Sequence, residues 1–448
     1  MKIGFIGAGY VGLISATVLA YKNPNHNFYV IDTLKSKIEQ LKQRNHYIKE
    51  LGFKELFDKV FYAGNNENEL TNENEFIAEI ELTNENINKL LYKSYNNLIV
   101  STDYNLLKDC NIIFIAVCTP DDNGLCNLEY FNEAINKLDE FVNKDTIIIV
   151  KSTVPIGTTK KIHFKSNANV FNIPEFLAEG TAIQDLLNPI RILIGCQDIE
   201  NSKKDIEKIK SLFNYVNPNL IVITDSNTSE LIKLASNFLL ASRVAHINLL
   251  ETIAEQYNAN INDISNILRM DSRIGNKFLT PSIAFGGSCF RKDINNLSSI
   301  CNDKIFSDYI KSINKINEHH VEIIYELLNQ LINQNDLTRI LILGYGFKNN
   351  TEDTRESPTQ IFIELIKDKY KYECYDNHID KYSNLPDINE FNVFILMNDE
   401  NQYISIINNI IEDKFNENEQ NEIIKNNNKL IIKNESCIII NPKHVKLL

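Results

Sequence analysis

The stretch KIGFIGAGYVG, residues 2–12, decides how the chain is read. A short apolar run, KIGFI, leads directly into GxGxxG and then into the apolar helical pattern LISATVLAY. Glycine permits a tight turn at Gly7, close approach of backbone amides to a pyrophosphate at Gly9, and close helix-strand packing at Gly12. The signature alone is weak, but the next strand supplies its missing half. FYVID ends in Asp32, 20 residues beyond Gly12, where a carboxylate accepts hydrogen bonds from an adenosine ribose and repels the extra phosphate of NADP. NAD is therefore the expected cofactor. A further turn after IIFIAV, Cys118-Thr119-Pro120, falls where the carboxyl ends of such a sheet face the cofactor crevice.

Outward from this unit, short apolar strands at residues 28–31, 112–117, 146–150, 170–173 and 191–194 alternate with helical stretches, the signature of a parallel α/β sheet with crossover helices. After Thr224 the rhythm changes. Residues 229–257 form one long helical pattern, with Leu231, Leu234, Phe238, Ala241, Ala245, Leu249 and Ile253 at three- to four-residue spacing. Helical segments continue to about residue 335, and RILILGYG then opens a second α/β unit. The expected fold class is α/β: two Rossmann-like domains joined by a helical middle domain with one long central helix. The expected boundaries are 1–225, 226–335 and 336–448.

Composition narrows the function. The 448 residues carry 46 Lys+Arg against 59 Asp+Glu, a formal charge of -13, which disfavours nucleic acid or anionic lipid as a partner. An anionic ligand must then be held by a few local cations and backbone amides. No run approaches 18 consecutive apolar residues, and the start reads as a strand and turn instead of a signal peptide, so the expected location is cytoplasmic. The eight cysteines are scattered, with no CxxC pair and no zinc spacing; no metal is expected. Residues 64–97 hold ten Asn and seven Glu, and residues 413–429 are similarly polar. Both are expected to be solvated loops or frayed helices contributing little core.

Three further constellations carry chemistry. In GGSCFRKD, residues 286–293, paired glycines let the chain pass close to a ligand, and the sequence after Cys289 looks helical. A thiol near a helix start, with Arg291 and Lys292 adjacent, favours the thiolate, and Asp293 four residues on can share its face. In SELIKLASN, Lys233 and Asn237 lie four apart on one helix face; a Lys on an apolar border can equally snorkel to solvent. In NIPEFLAEG, Glu175 and Glu179 lie four apart; they can share a proton and polarise a water, or form a solvated helix face.

Taken together, GAGYVG, KSTVP (151–155), PEFLAEGTAI (174–183), SELIKLASN, RIGNKFL (273–279), FGGSCFRKD and GFKNNTEDTRESP (346–358) resemble, in order and spacing, the UDP-glucose 6-dehydrogenases of the UDP-glucose/GDP-mannose dehydrogenase family. The resemblance runs from Met1 to about Tyr375. It implies NAD-dependent, four-electron oxidation of UDP-glucose to UDP-glucuronate, with Cys289 as the nucleophile that captures the aldehyde as a thiohemiacetal and carries the later thioester. It further implies Lys233 as the ammonium that stabilises oxyanions, Asn237 as its hydrogen-bonding partner, Asp293 as the carboxylate working with that Lys, and Glu175 and Thr153 as activators of the hydrolytic water. The cofactor set it implies is Gly7, Gly9, Tyr10, Val11, Gly12, Asp32, Lys37, Thr119, Pro120, Thr153, Glu179 and Arg355. The implied substrate set is Glu175, Phe176, Leu177, Lys233, Asn237, Arg273, Phe278, Phe285, Gly286, Phe347 and Lys348. Family members pair through the long helix, with Arg273 reaching a neighbouring subunit, so a homodimer or higher homo-oligomer is implied.

The chain departs from the family's pattern in two places. The Asn/Glu-rich stretch lengthens the region before IIFIAV by about thirty residues. Near the end, SCIII runs into Asn441-Pro442-Lys443 without the usual arginine, and MNDENQY replaces a Trp-containing segment. Other functions are separable by chemistry. A dehydrogenase of GDP-mannose or a UDP-N-acetyl sugar would differ in substrate preference. A two-electron hydroxyacid-type enzyme would need neither an activated Cys nor a third α/β domain, and a silent nucleotide-sugar-binding protein would be expected to lose Cys289, Lys233 or Asp293.

Overall fold

The computed structural model describes residues 1–61, 95–122, 124–332, 338–415, 422–426, 429–433 and 437–441. The chain forms two compact units, Met1–Leu234 and Ala235–Leu448, divided within the long helix Ser226–Gln256.

The first unit is built on strands β1 (Lys2–Ile6), β2 (Asn27–Ile31), β3 (Leu98–Ser101), β4 (Ile112–Ile115), β5 (Asp121–Asp122), β6 (Leu125–Cys126), β7 (Ile147–Val150), β8 (Asn169–Asn172), β9 (Ile192–Cys196) and β10 (Ile221–Asp225). Eight of them form one sheet in the order β10-β9-β8-β7-β4-β1-β2-β3. The strands from β3 to β8 are parallel and doubly wound, with the order reversing between β1 and β4. Helices cover both faces, so the central strands read as continuous apolar runs. Phe5 of β1 stacks on Phe114 of β4 at 4.5 Å on one face, while Ile6, Ile113 and Ile115 pack with Phe131 on the other.

One expectation does not hold. β9 pairs antiparallel with β8, and β10 follows β9, so the sheet is mixed and not wholly parallel. The connection after β8 contains only a six-residue helix, Ala182–Leu187, about 9 Å long. That is too short to carry the chain back along the sheet, so it returns as a strand. The preceding loop, which carries Glu175, thereby stays at the carboxyl end of the parallel strands.

The second unit adds helices Ile261–Met270, Ser288–Ile300 and Lys304–Leu331 to most of the long helix. Its sheet consists of β11 (Arg339–Leu343), β12 (Lys371–Tyr375), β13 (Val393–Leu396), β14 (Glu422–Asn426), β15 (Lys429–Lys433) and β16 (Ile438–Asn441), in the order β12-β11-β13-β16-β15-β14. The first four are parallel and the last two antiparallel.

The polar stretches are not uniform surface loop. Residues 64–94 lie outside those described, but Asn97, at the end of that run, is buried, and its amide donates to the carbonyls of Ala20 and His26 at 3.0 and 2.9 Å. An amide that satisfies several orphan carbonyls is worth burying. In the second stretch Glu422–Asn426 is a strand, since two adjacent isoleucines suit ladder pairing. The long helix also departs from full burial. Leu234, Ala241 and Ala245 are sealed, but Leu231, Leu249 and Ile253 of the same stripe are 42%, 41% and 44% exposed.

Candidate active site

In the first unit the glycine turn meets the geometry expected of it. Gly7 has φ +104°, and a Cβ there would come within 2.5 Å of the Ala116 carbonyl oxygen. At Gly12 a Cβ would overlap the Gly7 carbonyl, whereas at Gly9, the residue that caps the helix Tyr10–Lys22, it would face open space. The first and third glycines are therefore packing requirements, and the second leaves open space at the helix amino terminus, where a phosphate can approach. Tyr10 and Val11 form the first turn of that helix. Asp32, at the end of β2, accepts from the Ala8 and Leu34 amides at 2.8 and 2.9 Å, and Lys37 Nζ lies 4.0 Å from it. The Tyr47 hydroxyl donates to the Ala8 carbonyl; burial first, then the Asp32 charge, raises its pKa. These residues fit NAD. Asp32→Ala should lower the preference for NAD over NADP by about tenfold or more, the effect of losing hydrogen bonds to a charged group. Comparing kcat/KM for the two cofactors checks this; equal wild-type efficiencies would contradict the assignment.

Beyond β4 and β7 the two turns are joined, because the buried Thr119 donates its hydroxyl to the Thr153 carbonyl at 2.8 Å; Pro120 comes next in the chain. β7 runs into Lys151, which is buried, and β8 into Glu175. Lys233 reaches Glu175 with Nζ 2.6 Å from Oε1, both side chains nearly inaccessible, and the Leu177 amide donates to Oε2 at 2.8 Å. Phe176 lies beneath two cations, the Arg191 guanidinium 4.0 Å and Lys233 Nζ 5.8 Å from its ring centre. The long helix is fixed to this end of the sheet through its first turns. Ser229 donates to Asn172 at 2.7 Å, and Glu230 accepts from the amides of Gly157 and Thr159 at 2.5 and 2.8 Å and from the Thr159 hydroxyl at 2.6 Å.

The electrostatics of this cluster arise from burial and pairing. Burial pushes the Glu175 pKa up, but Lys233, the Leu177 amide and Lys151 outweigh it and hold the carboxyl below its ordinary 4.5. Its contribution to stability is thus fully present above that value and is lost as pH falls through the lowered one. Lys151 is lowered from 10.5 to about 8, by burial first, opposed by Glu175 and reinforced by Lys233. The unfolded chain binds the Lys151 proton more tightly, so the destabilisation from burying this charge is relieved as pH rises through that interval. Wild type should therefore gain stability relative to Lys151→Met between about pH 8 and about pH 10.5, by ~3 kcal/mol at most. Denaturant titrations across that range would show it, and a flat difference would contradict it.

In the second unit Cys289 is the second residue of the helix Ser288–Ile300 and is exposed, while Asp293 of the same helix is buried. Asn237 of the long helix donates its amide to Asp293 Oδ2 at 2.6 Å, and Lys292 Nζ lies 3.9 Å from Oδ1. The preceding loop is pressed flat on its neighbours. A Cβ on Gly286 would come within 2.7 Å of both Phe347 Cβ and the Glu356 carbonyl oxygen, and the Gly287 amide donates to the Arg355 carbonyl at 3.0 Å. Asn317 clamps Phe285 from both sides, accepting from its amide and donating to its carbonyl at 2.8 Å each. Phe278, at φ +57°, places its ring 6.4 Å from Phe290, and Lys348 Nζ stands 5.1 Å from the Phe347 ring.

The structure thus groups the expected residues within each unit. The glycine turn, Asp32 and Lys37 come together, as do Thr119 with Thr153 and Glu175, Phe176 and Leu177 with Lys233. Asn237 meets Asp293, and Gly286 meets Phe347. Lys233 is buried and paired, not snorkelling. Glu175 and Glu179 do not share a helix face: their segment is irregular and the helix begins only at Ala182, because Pro174 precedes them and left-handed Gly180 follows. Arg273 and Arg355 are exposed and bind Asp271 and Asp353, two residues upstream, at 2.6 Å. Sequence reasoning missed Lys151, Glu230, Asn317 and Glu50. Lys151 stood inside the quoted KSTVP, where its charge at a strand end was the available signal, and Glu230 inside the quoted SELIKLASN; Asn317 and Glu50 lie in ordinary polar contexts.

Comparison with known proteins identifies the family. Residues 1–83 and 71–217 match the NAD binding domain of the UDP-glucose/GDP-mannose dehydrogenase family, and residues 227–319 match that family's central domain. A UDP-glucose 6-dehydrogenase of Drosophila melanogaster is 32% identical over 409 residues, covering 87% of this chain and 79% of its own length. One from Rickettsia conorii is 34% identical over 381 residues, covering 83% and 79%. Among solved structures, a UDP-D-ManNAc dehydrogenase from Pyrococcus horikoshii superposes with a TM-score of 0.75 at 22% identity, over 92% of each chain. A UDP-glucose dehydrogenase from Pyrobaculum islandicum superposes with a TM-score of 0.73 at 22% identity, over 90% of this chain and 91% of that one. The two structures bear on the fold alone.

Proposed function

The chain belongs to the UDP-glucose/GDP-mannose dehydrogenase family and is an NAD-dependent nucleotide-sugar dehydrogenase, and from that premise we propose that it oxidises UDP-glucose to UDP-glucuronate through a covalent intermediate on Cys289. Bound NAD supplies the hydride acceptor, one molecule for each of two oxidations. The chain's own residues do the rest. Lys233, held by Glu175, offers a fixed positive charge to the oxyanion that develops at the sixth carbon. Asp293, oriented by Asn237, serves as the acid/base partner. Cys289 attacks the aldehyde carbon, forming the carbon-sulfur bond of a thiohemiacetal, and the second oxidation leaves a thioester. Water, activated by Glu175 with Thr153, cleaves that bond and releases the acid and the thiol.

One observation carries this reading: Cys289 is exposed at a helix start while Asp293, one turn on, is buried and held by Asn237. A two-electron dehydrogenase needs no such prepared thiol. In this proposal residues 1–225 hold NAD, 226–335 carry the catalytic thiol and the pairing surface, and 336–448 hold the nucleotide through Phe347 and Lys348. The exposed half of the long helix's apolar stripe supports self-association as a homodimer. No helix among the described residues is long and apolar enough to cross a membrane; the cytoplasmic location is part of the proposal. An NADH assay over a panel of UDP- and GDP-sugars tests the substrate. UDP-glucose should give the highest kcat/KM, and preference for GDP-mannose or a UDP-N-acetyl sugar would overturn the assignment.

A further inference from the structure

The catalytic reading leaves one buried carboxylate of the first unit without a role. Glu50 lies between the helices Lys35–Lys42 and Phe53–Val60 and is only 7% exposed. Its Oε2 accepts from the Tyr10 hydroxyl and from the Gly180 amide at 2.8 Å, and its Oε1 accepts from the Ala182 amide at 2.8 Å. Tyr10 opens the helix behind the glycine turn, immediately after Gly9. Gly180 and Ala182 end the loop that carries Glu175 and Glu179, and Gly180 adopts φ +82°, a conformation natural to glycine. Three residues before Glu50, Tyr47 donates to the carbonyl of Ala8, on the other side of Gly9. One short segment therefore grips the glycine turn at two points and the Glu175 loop at two more.

We propose that Glu50 is a positioning residue that transmits occupancy of the NAD turn to the loop bearing Glu175 and Glu179. The proposal rests on the NAD reading of the glycine turn. A ligand that fixes Ala8, Gly9 and Tyr10 restrains the Tyr10 hydroxyl, which restrains the Glu50 carboxylate, which in turn holds the two loop amides. The coupling is energetic only if each bond is intact, because a buried carboxylate that loses one donor reorients towards those remaining. Loading the cofactor would thus set the position of the Glu175 carboxylate before the sugar reacts. Glutamine in place of Glu50 keeps the size, but its NH2 group opposes one of the N–H donors and breaks the chain of bonds.

Amide hydrogen exchange with and without NAD tests this directly. In wild type, NAD should slow exchange at residues 7–12 and also at 178–182, by about tenfold at the latter. In Glu50→Gln, protection at 7–12 should persist while the NAD-dependent part at 178–182 disappears. Tyr10→Phe, which removes only the hydroxyl and is the safer variant for folding, should do the same. A merely structural Glu50 would loosen the loop equally with and without NAD, leaving the NAD-dependent difference unchanged, and that result overturns the proposal. Protection at 7–12 without any at 178–182 in wild type overturns the coupling alone, whereas no protection at either place overturns the cofactor reading with it.

Discussion

Cys289→Ser is expected to reduce formation of UDP-glucuronate from UDP-glucose by ~10³-fold or more, while leaving folding and NAD binding intact. The thiol sits exposed at the start of its helix, behind Gly287 at φ +81°. Thiolate is the attacking form of a cysteine, and the amino terminus of a helix is a place that favours an anion. Serine keeps the size but is a far poorer nucleophile, so the thiohemiacetal and everything after it fail. In the proposed mechanism the first oxidation relies on Lys233 and Asp293, which the change does not touch. Cys301→Ser is the control: that thiol is half-buried, packs at the edge of the core around Ile294 and Ile313, and donates to the Asp303 carbonyl at 3.5 Å, so turnover should stay near wild type. Product analysis by chromatography checks both, and wild-type acid formation by Cys289→Ser would contradict the role.

Lys233→Met should have the second largest effect, and on two quantities at once. Removing the ammonium should cost about a hundredfold or more in kcat, the usual scale for losing a preorganised donor to an oxyanion. It also leaves Glu175 buried without its 2.6 Å partner. Breaking a buried pair from one side destabilises by roughly 3–5 kcal/mol, and the low end applies here because Lys151 still faces the carboxylate. Adding Glu175→Gln should restore most of the stability by neutralising the orphan charge, without restoring turnover. Denaturation of both variants reads the counter-ion role, and kcat of the single variant reads the oxyanion role, since the double variant also lacks the water-activating carboxylate. A single variant that kept wild-type kcat would show that the ammonium stabilises no oxyanion, whereas a single variant as stable as wild type would show that the pair contributes little.

The difference between what was legible in the sequence and what was not lies in the range of the interactions. Gly7, Gly9, Gly12 and Asp32 act within one strand-turn-helix unit and the next strand, so their spacing alone predicts the turn and the carboxylate beside it. The 226–256 helix was equally legible, because its apolar stripe repeats every three to four residues. The direction of β9 was not, since it depends on how far a six-residue helix can carry the chain, and an apolar strand looks the same in either direction. The pairing of Glu175 with Lys233 joins residues 58 apart in sequence, and only the docking of Ser229 and Glu230 on the sheet end brings them together. Asn237 and Asp293 are likewise far apart in sequence, 56 residues. Spacing left Glu175 and Glu179 between a shared proton and a solvated helix face; Pro174 and Gly180, both visible in the sequence, were the signal against the helix. Glu50 has no local pattern at all, because its three donors come from a helix and a loop far away along the chain.

The central claim is that one polypeptide carries out both oxidations, with the aldehyde held on Cys289 between them. The most direct measurement is the number of NADH formed per UDP-glucose consumed, followed to completion with the products identified. Two NADH per UDP-glucuronate, with no aldehyde accumulating, is the predicted result; one NADH and a stable, released aldehyde would contradict it.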